Sequence, residues 1–120
     1  MKFKFNQSEP IYRQIAKQLK EMIFLNLLNE GEQVPSTTQL SQELKINPAT
    51  VLKGMNILVD DGLLEKHRGM GLFVKKGARE KIIAKRQEEF CSEYIDNLIS
   101  ESKNLGLTKQ QLIDLIERRY

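Results

Sequence analysis

The stretch VPSTTQLSQELKINPATVLKGM, Val34–Met55, decides the fold. Its STTQ segment is a capping box: the Ser36 hydroxyl accepts from the Gln39 amide, and the Gln39 side chain reaches back to the Ser36 N–H. A short helix follows, with Leu40 and Leu44 as its buried side. It cannot pass Ile46, because Pro48 disfavours the helical conformation at Asn47. Asn47 is itself a good N-cap and Pro48 a good first helical residue, so another helix starts there. Two helices joined so tightly cross at a steep angle, the helix-turn-helix arrangement, although a plain corner in a helical bundle has the same spacing. The second of them opens on Ala49 and Thr50, where Lys and Glu are more usual. A helix tip kept this small and neutral leaves room for a large body to come close.

Reading toward the N-terminus, Ile11, Ile15, Leu19, Met22 and Ile23 repeat at helical spacing and predict a helix from near Pro10. Asn26, which tolerates the left-handed conformation, stops it. NEGEQVPS then turns at Glu30-Gly31, with Gln33-Val34 as a short extended piece. Toward the C-terminus, the helix from Pro48 runs to about Asp60, with Val51, Met55, Leu58 and Val59 inward and Gly62 as its stop. LLEKH and LFVKK flank RGMG, the pattern of a β-hairpin whose Gly69 and Gly71 accept positive φ. An isolated hairpin is marginal, so Leu63, Leu64, Phe73 and Val74 are expected to pack on the helices. The expected fold is mainly α with a small β-hairpin: a winged helix-turn-helix over residues 1–77.

Residues 78–120 read as a helical appendage. One long helix is expected from about Glu80 to Asn104, with Ile83, Phe90, Cys91, Tyr94, Ile95, Leu98 and Ile99 in a broad apolar stripe. Gly106 breaks it, and Thr108 with Gln111 caps a last helix carrying Leu112, Ile113, Leu115 and Ile116. Two such helices expose more apolar surface than either hides on the other. A symmetric second copy is the simplest cover, folding back onto the first domain being the other solution.

Composition sets outer limits. The chain has 120 residues, 40% apolar and 29% charged, in the globular range. One cysteine, Cys91, cannot staple a fold and fits a reducing cytosol. No run is long enough for a secretory leader or a membrane span, so a cytoplasmic protein is expected. The net charge of +3 resides entirely in residues 1–77, where 11 Lys/Arg face 8 Asp/Glu. That permits a polyanionic partner without requiring one. No Cys/His cluster, phosphate-binding glycine loop or nucleophile–base spacing occurs, so neither an enzyme, a metal site nor a cofactor is expected.

The pieces PIYRQIAKQLKEMI, EGEQVPSTTQLSQEL, INPATVLKGMNILVDDGLL and HRGMGLFV resemble, in order and spacing, the GntR transcriptional regulators over about residues 10–74. INPATV and the short tail, without room for a large effector domain, look like the YtrA-type subgroup. The resemblance implies a dimeric bacterial DNA-binding regulator, typically a repressor. Three residues depart from the pattern: Thr38 and Leu52 stand where basic or polar residues are common, and Leu72 replaces a wing threonine.

On that reading the helix from Pro48 enters a major groove about 12 Å wide, tip first. Ala49 approaches a thymine methyl, Thr50 a methyl, base or phosphate, Asn47 a phosphate or adenine edge, and Lys53 supplies charge. Ser36, Thr37 and Thr38 position a phosphate at a helix N-terminus. Arg68, beside Gly69 at the wing tip, reaches a minor groove or the backbone, and His67 touches phosphate. Tyr12 and Tyr94 are read as core or interface. The dimer seam is expected at Phe90, Cys91, Tyr94, Ile95, Leu98, Ile99, Leu112, Ile113 and Ile116. Expected partners are an operator duplex, a second copy and an effector of unknown identity, if there is one. The competing reading is a winged helix used only for protein contacts.

Overall fold

The computed structural model describes residues 2–120, and the chain divides into two compact units, one ending at Ile83 and one spanning Ala84–Tyr120. The first holds α1 (Ile11–Phe24), α2 (Thr37–Leu44), α3 (Pro48–Asp60), β1 (Leu64–His67), β2 (Gly71–Val74) and the start of α4 (Ala78–Phe90). A π-helical turn (Cys91–Ile95), α5 (Asp96–Asn104) and α6 (Lys109–Arg119) follow. Three helices and an antiparallel hairpin make the first unit a winged helix-turn-helix. Ala78 and Ile82 join its buried core, so this unit extends past residue 77.

Local chemistry sets the ends of these helices. The Ser36 hydroxyl accepts from the Gln39 N–H at 3.0 Å, and Gln39 Oε1 accepts from the Ser36 N–H at 2.9 Å. Lys45 ends α2 in the left-handed conformation, φ 56°. Asn26 does the same after α1, φ 60°, and Gly62 after α3, φ 74°. The N-terminal segment is fastened to α1 by two glutamines one turn apart. Buried Gln14 accepts from the Asn6 N–H at 3.0 Å and donates to the Asn6 carbonyl at 2.9 Å. Gln18 pairs in the same two-way manner with the Lys4 backbone. Each side chain thus acts as a strand neighbour would.

The core is aliphatic: Ile15, Leu19 and Ile23 of α1 meet Leu40, Val51, Met55 and Leu58. Helices α1 and α3 touch at buried Gly54, where a Cβ would lie 2.8 Å from the Tyr12 carbonyl oxygen and 3.0 Å from Ile15 Cγ2.

In the hairpin Leu64 pairs with Val74 and His67 with Gly71. Residues 32–34 add a third extended segment: the Val34 N–H donates to Leu72 at 2.8 Å and the Val74 N–H to Glu32 at 2.9 Å. Gln33 Nε2 donates to the Met70 carbonyl near the wing tip. Phe73 departs from expectation. Leu72 and Val74 share the core-facing side, so a period of two puts Phe73 on the other, where its ring stacks on His67.

The expected single helix 80–104 is also corrected, since the π turn interrupts it. Apolar pairs at 90/91, 94/95 and 98/99 recur every four residues and drift by about 40° per step on a 3.6-residue helix. A wider turn takes back part of that drift. Gly106 ends α5 at φ 73°, and Thr108 and Gln111 form the capping box of α6.

Two predictions follow from this packing. Gly54→Ala gains about 1 kcal/mol of helix propensity, but its methyl meets a backbone oxygen that cannot move aside. The variant should lose about 1–2 kcal/mol net, and an unchanged or raised midpoint of urea unfolding would refute the close contact. Gln33→Ala should speed amide exchange at Met70 and Gly71 about fivefold and lower the urea-unfolding midpoint slightly, as loss of one net hydrogen bond of about 1 kcal/mol implies.

Candidate nucleic-acid interface

Helix α3 separates its residues cleanly. Val51, Gly54, Met55 and Leu58 are buried. Ala49, Leu52, Lys53 and Asn56, on the opposite side at the same i, i+3, i+4, i+7 spacing, are all exposed. Thr50 lies half-buried at the edge between the two faces. Asn47 caps the helix, its Oδ1 accepting from the Ala49 N–H at 2.8 Å, which leaves its amide N–H groups for other partners. Pro48 follows as the first helical residue and is exposed. Asn56 and the placement of Leu52 on this face were missed by sequence reasoning, although counting in helical steps from Ala49 finds both.

The Lys53 ammonium sits 4.1 Å from the centroid of the Tyr12 ring. Arg13 approaches the same ring, and its Nε donates to the Tyr12 hydroxyl at 3.2 Å. A cation over an exposed ring is held by about 0.5–1 kcal/mol, enough to bias where a flexible lysine points. Tyr12 is half-buried, and its sequence reading as core or interface omits this holding role. Nothing in the linear sequence connects position 12 to position 53.

The start of α2 is less open than expected. Ser36 and Thr38 are exposed, but the Ser36 hydroxyl is engaged in its capping box. Thr37 is half-buried, and its hydroxyl donates to the Met55 sulfur at 3.7 Å, so it faces the core rather than an incoming phosphate. At the wing, Arg68, Gly69 and Met70 form an exposed turn. Gly69 has φ 76° with open space around it, which lets a large surface approach the backbone there. His67 is exposed at the strand end, yet its ring stacks on Phe73 at 4.3 Å and its Nε2 lies 3.1 Å from Glu65 Oε1. Those contacts make it a packing element of the wing's outer face.

In the second unit the apolar stripe is uncovered. Tyr94 is 63% and Phe90 53% exposed, and Leu98, Ile99 and Ile116 are exposed too. Ile95, Leu112 and Ile113 are half-buried, and Cys91 is an exposed free thiol. The Phe90 and Tyr94 rings lie 5.5 Å apart. An open apolar groove of about 410 Å³ runs along Leu98, Leu105, Leu112, Leu115 and Ile116.

Among the described residues no group of three or more His, Cys, Asp and Glu side chains is placed to hold a metal ion. Among the described residues no helix is long and apolar enough to cross a membrane.

Comparison with known proteins agrees with this geometry. Residues 11–74 match the bacterial regulatory proteins of the gntR family. The chain is 28% identical over 110 residues to the HTH-type transcriptional repressor YtrA of Bacillus subtilis, spanning 92% of this chain and 84% of that one. The solved structure of YtrA from Sulfolobus acidocaldarius, a GntR-family transcription factor, is similar with a TM-score of 0.59 and 28% identity over 98% of this chain and 94% of that one. The N-terminal domain of AraR, solved in complex with a mutant ORR3, is similar with a TM-score of 0.54 and 26% identity, over 57% of this chain and 99% of that one. The relatives are transcription regulators rather than enzymes. With more than half of its length matched across the helix-turn-helix and the wing, the chain belongs to the gntR family of bacterial regulatory proteins, which are DNA-binding transcription regulators.

Proposed function

We propose that the protein is a cytoplasmic transcription repressor that binds an inverted-repeat operator as a homodimer, with α3 in the major groove of each half-site. The observation that carries this reading is the outward face of α3. It is exposed along its length, small at its tip and flanked by a held cation, as a groove-reading helix requires. Ala49 and Thr50 approach base edges. The amide of Asn47 and the ammonium of Lys53 reach phosphates, helped by the positive end of the helix dipole. Thr38 and the backbone N–H groups at the start of α2 position a second phosphate. Arg68, with Gly69, engages the duplex from the wing. Thr37 and His67 act through packing instead.

Dimerisation follows from the uncovered stripe. Phe90, Tyr94, Leu98, Ile99 and Ile116 are large apolar side chains on helix faces, and a second copy buries all of them by one symmetric contact. Two copies then present two α3 helices to half-sites about one duplex turn apart. A dimer seated on a promoter represses by excluding the polymerase. Any effector enters at the seam, where the groove beside Leu98 and Leu112 lies.

The test is a gel shift with genomic fragments that include the gene's own promoter. Retardation at low salt that weakens steeply as salt rises supports the reading, each neutralised phosphate contributing about −0.9 to the log–log slope. A clean dimer that retards no fragment at low salt overturns it in favour of a protein-contact module. The double variant Thr50→Ala, Lys53→Ala should abolish operator binding while light scattering still finds a dimer. Leu98→Asp should give monomers and reduce operator affinity at least tenfold, and a persistent dimer would place the seam elsewhere.

A further inference from the structure

Leu52 is 45% exposed on one flank of the uncovered face of α3. A leucine there gains nothing from water, so its neighbours indicate what it meets. Ala49, one turn before it, adds a methyl and no charge. Asn56, one turn after it, adds an amide. Lys53 is the only ion among the four, and the Tyr12 ring draws its ammonium toward α1. At 100° per residue, Leu52 and Lys53 lie on opposite flanks of the face. The result is an apolar and amide strip with its positive charge displaced to one margin. The matching surface is anionic at its rim and carries apolar groups on its floor. The major groove of duplex DNA has this form: phosphates line its walls and thymine 5-methyl groups project from its floor.

The geometry points to Leu52 as a specificity-determining residue that packs, together with Ala49, on thymine 5-methyl groups. The inference rests on the DNA-binding reading above and goes beyond it by naming the base that is read. Lys53, held aside by Tyr12, contacts a phosphate and does not compete for the base edge. Asn56 is suited to an adenine edge in the same groove. The half-site facing α3 is therefore rich in A·T pairs, and the discrimination at Leu52 comes from shape and desolvation rather than from hydrogen bonds to guanine.

The experiment uses the purified full chain. A random duplex library is enriched by binding, and the selected duplex is remade with deoxyuridine in place of each thymine in turn. Uracil pairs as thymine does but lacks the methyl group. Fluorescence anisotropy should show affinity falling about fourfold where a methyl packed on Leu52 is lost, as burial of one such group implies. Leu52→Ala should bind the thymine duplex more weakly and lose the discrimination at those positions only. Leu52→Arg should move the preference there toward guanine. Wild-type protein indifferent to uracil at every position overturns the inference while leaving DNA binding intact. Full discrimination retained by Leu52→Ala also overturns it, since the methyl then lies against another residue. If the wild-type chain enriches no duplex even at low salt, the DNA-binding reading and this inference fall together.

Discussion

The contact of α1 with α3 at Gly54 is the constraint on which the rest of the first unit depends. With no Cβ between them, the Tyr12 carbonyl and the Ile15 side chain come against the α3 backbone. That fixes the rotation of α3 about its own axis. Val51, Met55 and Leu58 then point into the core beside Ile15 and Leu19, and 3.6-residue periodicity leaves Ala49, Leu52, Lys53 and Asn56 outside. The same approach brings the Tyr12 ring within reach of the Lys53 ammonium. A single small residue thus sets the core-facing side of the helix, its exposed side and the placement of its charge.

The connection before α3 makes the opposite compromise. Lys45 takes a left-handed conformation that glycine adopts without strain and that costs other residues on the order of 1 kcal/mol or more. What holds it there is local polar chemistry. The Ile46 N–H donates to the Ser41 carbonyl at 3.1 Å, and the Ser41 hydroxyl donates to the Ile46 carbonyl at 2.6 Å. Asn47 caps the next helix immediately afterwards. The turn between the helices is therefore specified by Ser41 and Asn47 as much as by its length, so the crossing of α2 and α3 does not depend on the core alone.

What could be read from the sequence was local. Both capping boxes, the stops at Asn26, Gly62 and Gly106, the hairpin glycines and the buried side of α1 each follow from a few neighbouring residues. Their energetics are decided within one turn of chain. Misreadings arose where the deciding partner is distant. Hydrophobicity alone puts Phe73 in the core, but its register with Glu65 puts it beside His67 on the outer face. The Thr37 hydroxyl, expected at a phosphate, also donates to the Met55 sulfur, a partner 18 residues away that no local pattern announces. Gln33 and Tyr12 gave no local signal, because the wing-tip carbonyl and the lysine they hold lie far along the chain. The π turn escaped because apolar pairs four residues apart fit an α-helix well enough over any single step.

The second unit poses the remaining energetic problem. Among its described residues only Ser102 is buried, while the fully covered aliphatic side chains all belong to the first unit. Ordering a residue costs about 1–2 kcal/mol of backbone entropy, and capping at Thr108 returns about 1 kcal/mol for the whole of α6. Helices this short are marginal alone in water. Their stability must come from covering the side chains they leave exposed, and each large one that is covered contributes about 1.5–3 kcal/mol. If a second copy provides the cover, folding of α5 and α6 and association are one equilibrium, dependent on protein concentration. Operator affinity then inherits that dependence, because a monomer presents only one α3. A molecule lodged along Leu98 and Leu112 would shift DNA binding by changing association, without touching the winged domain.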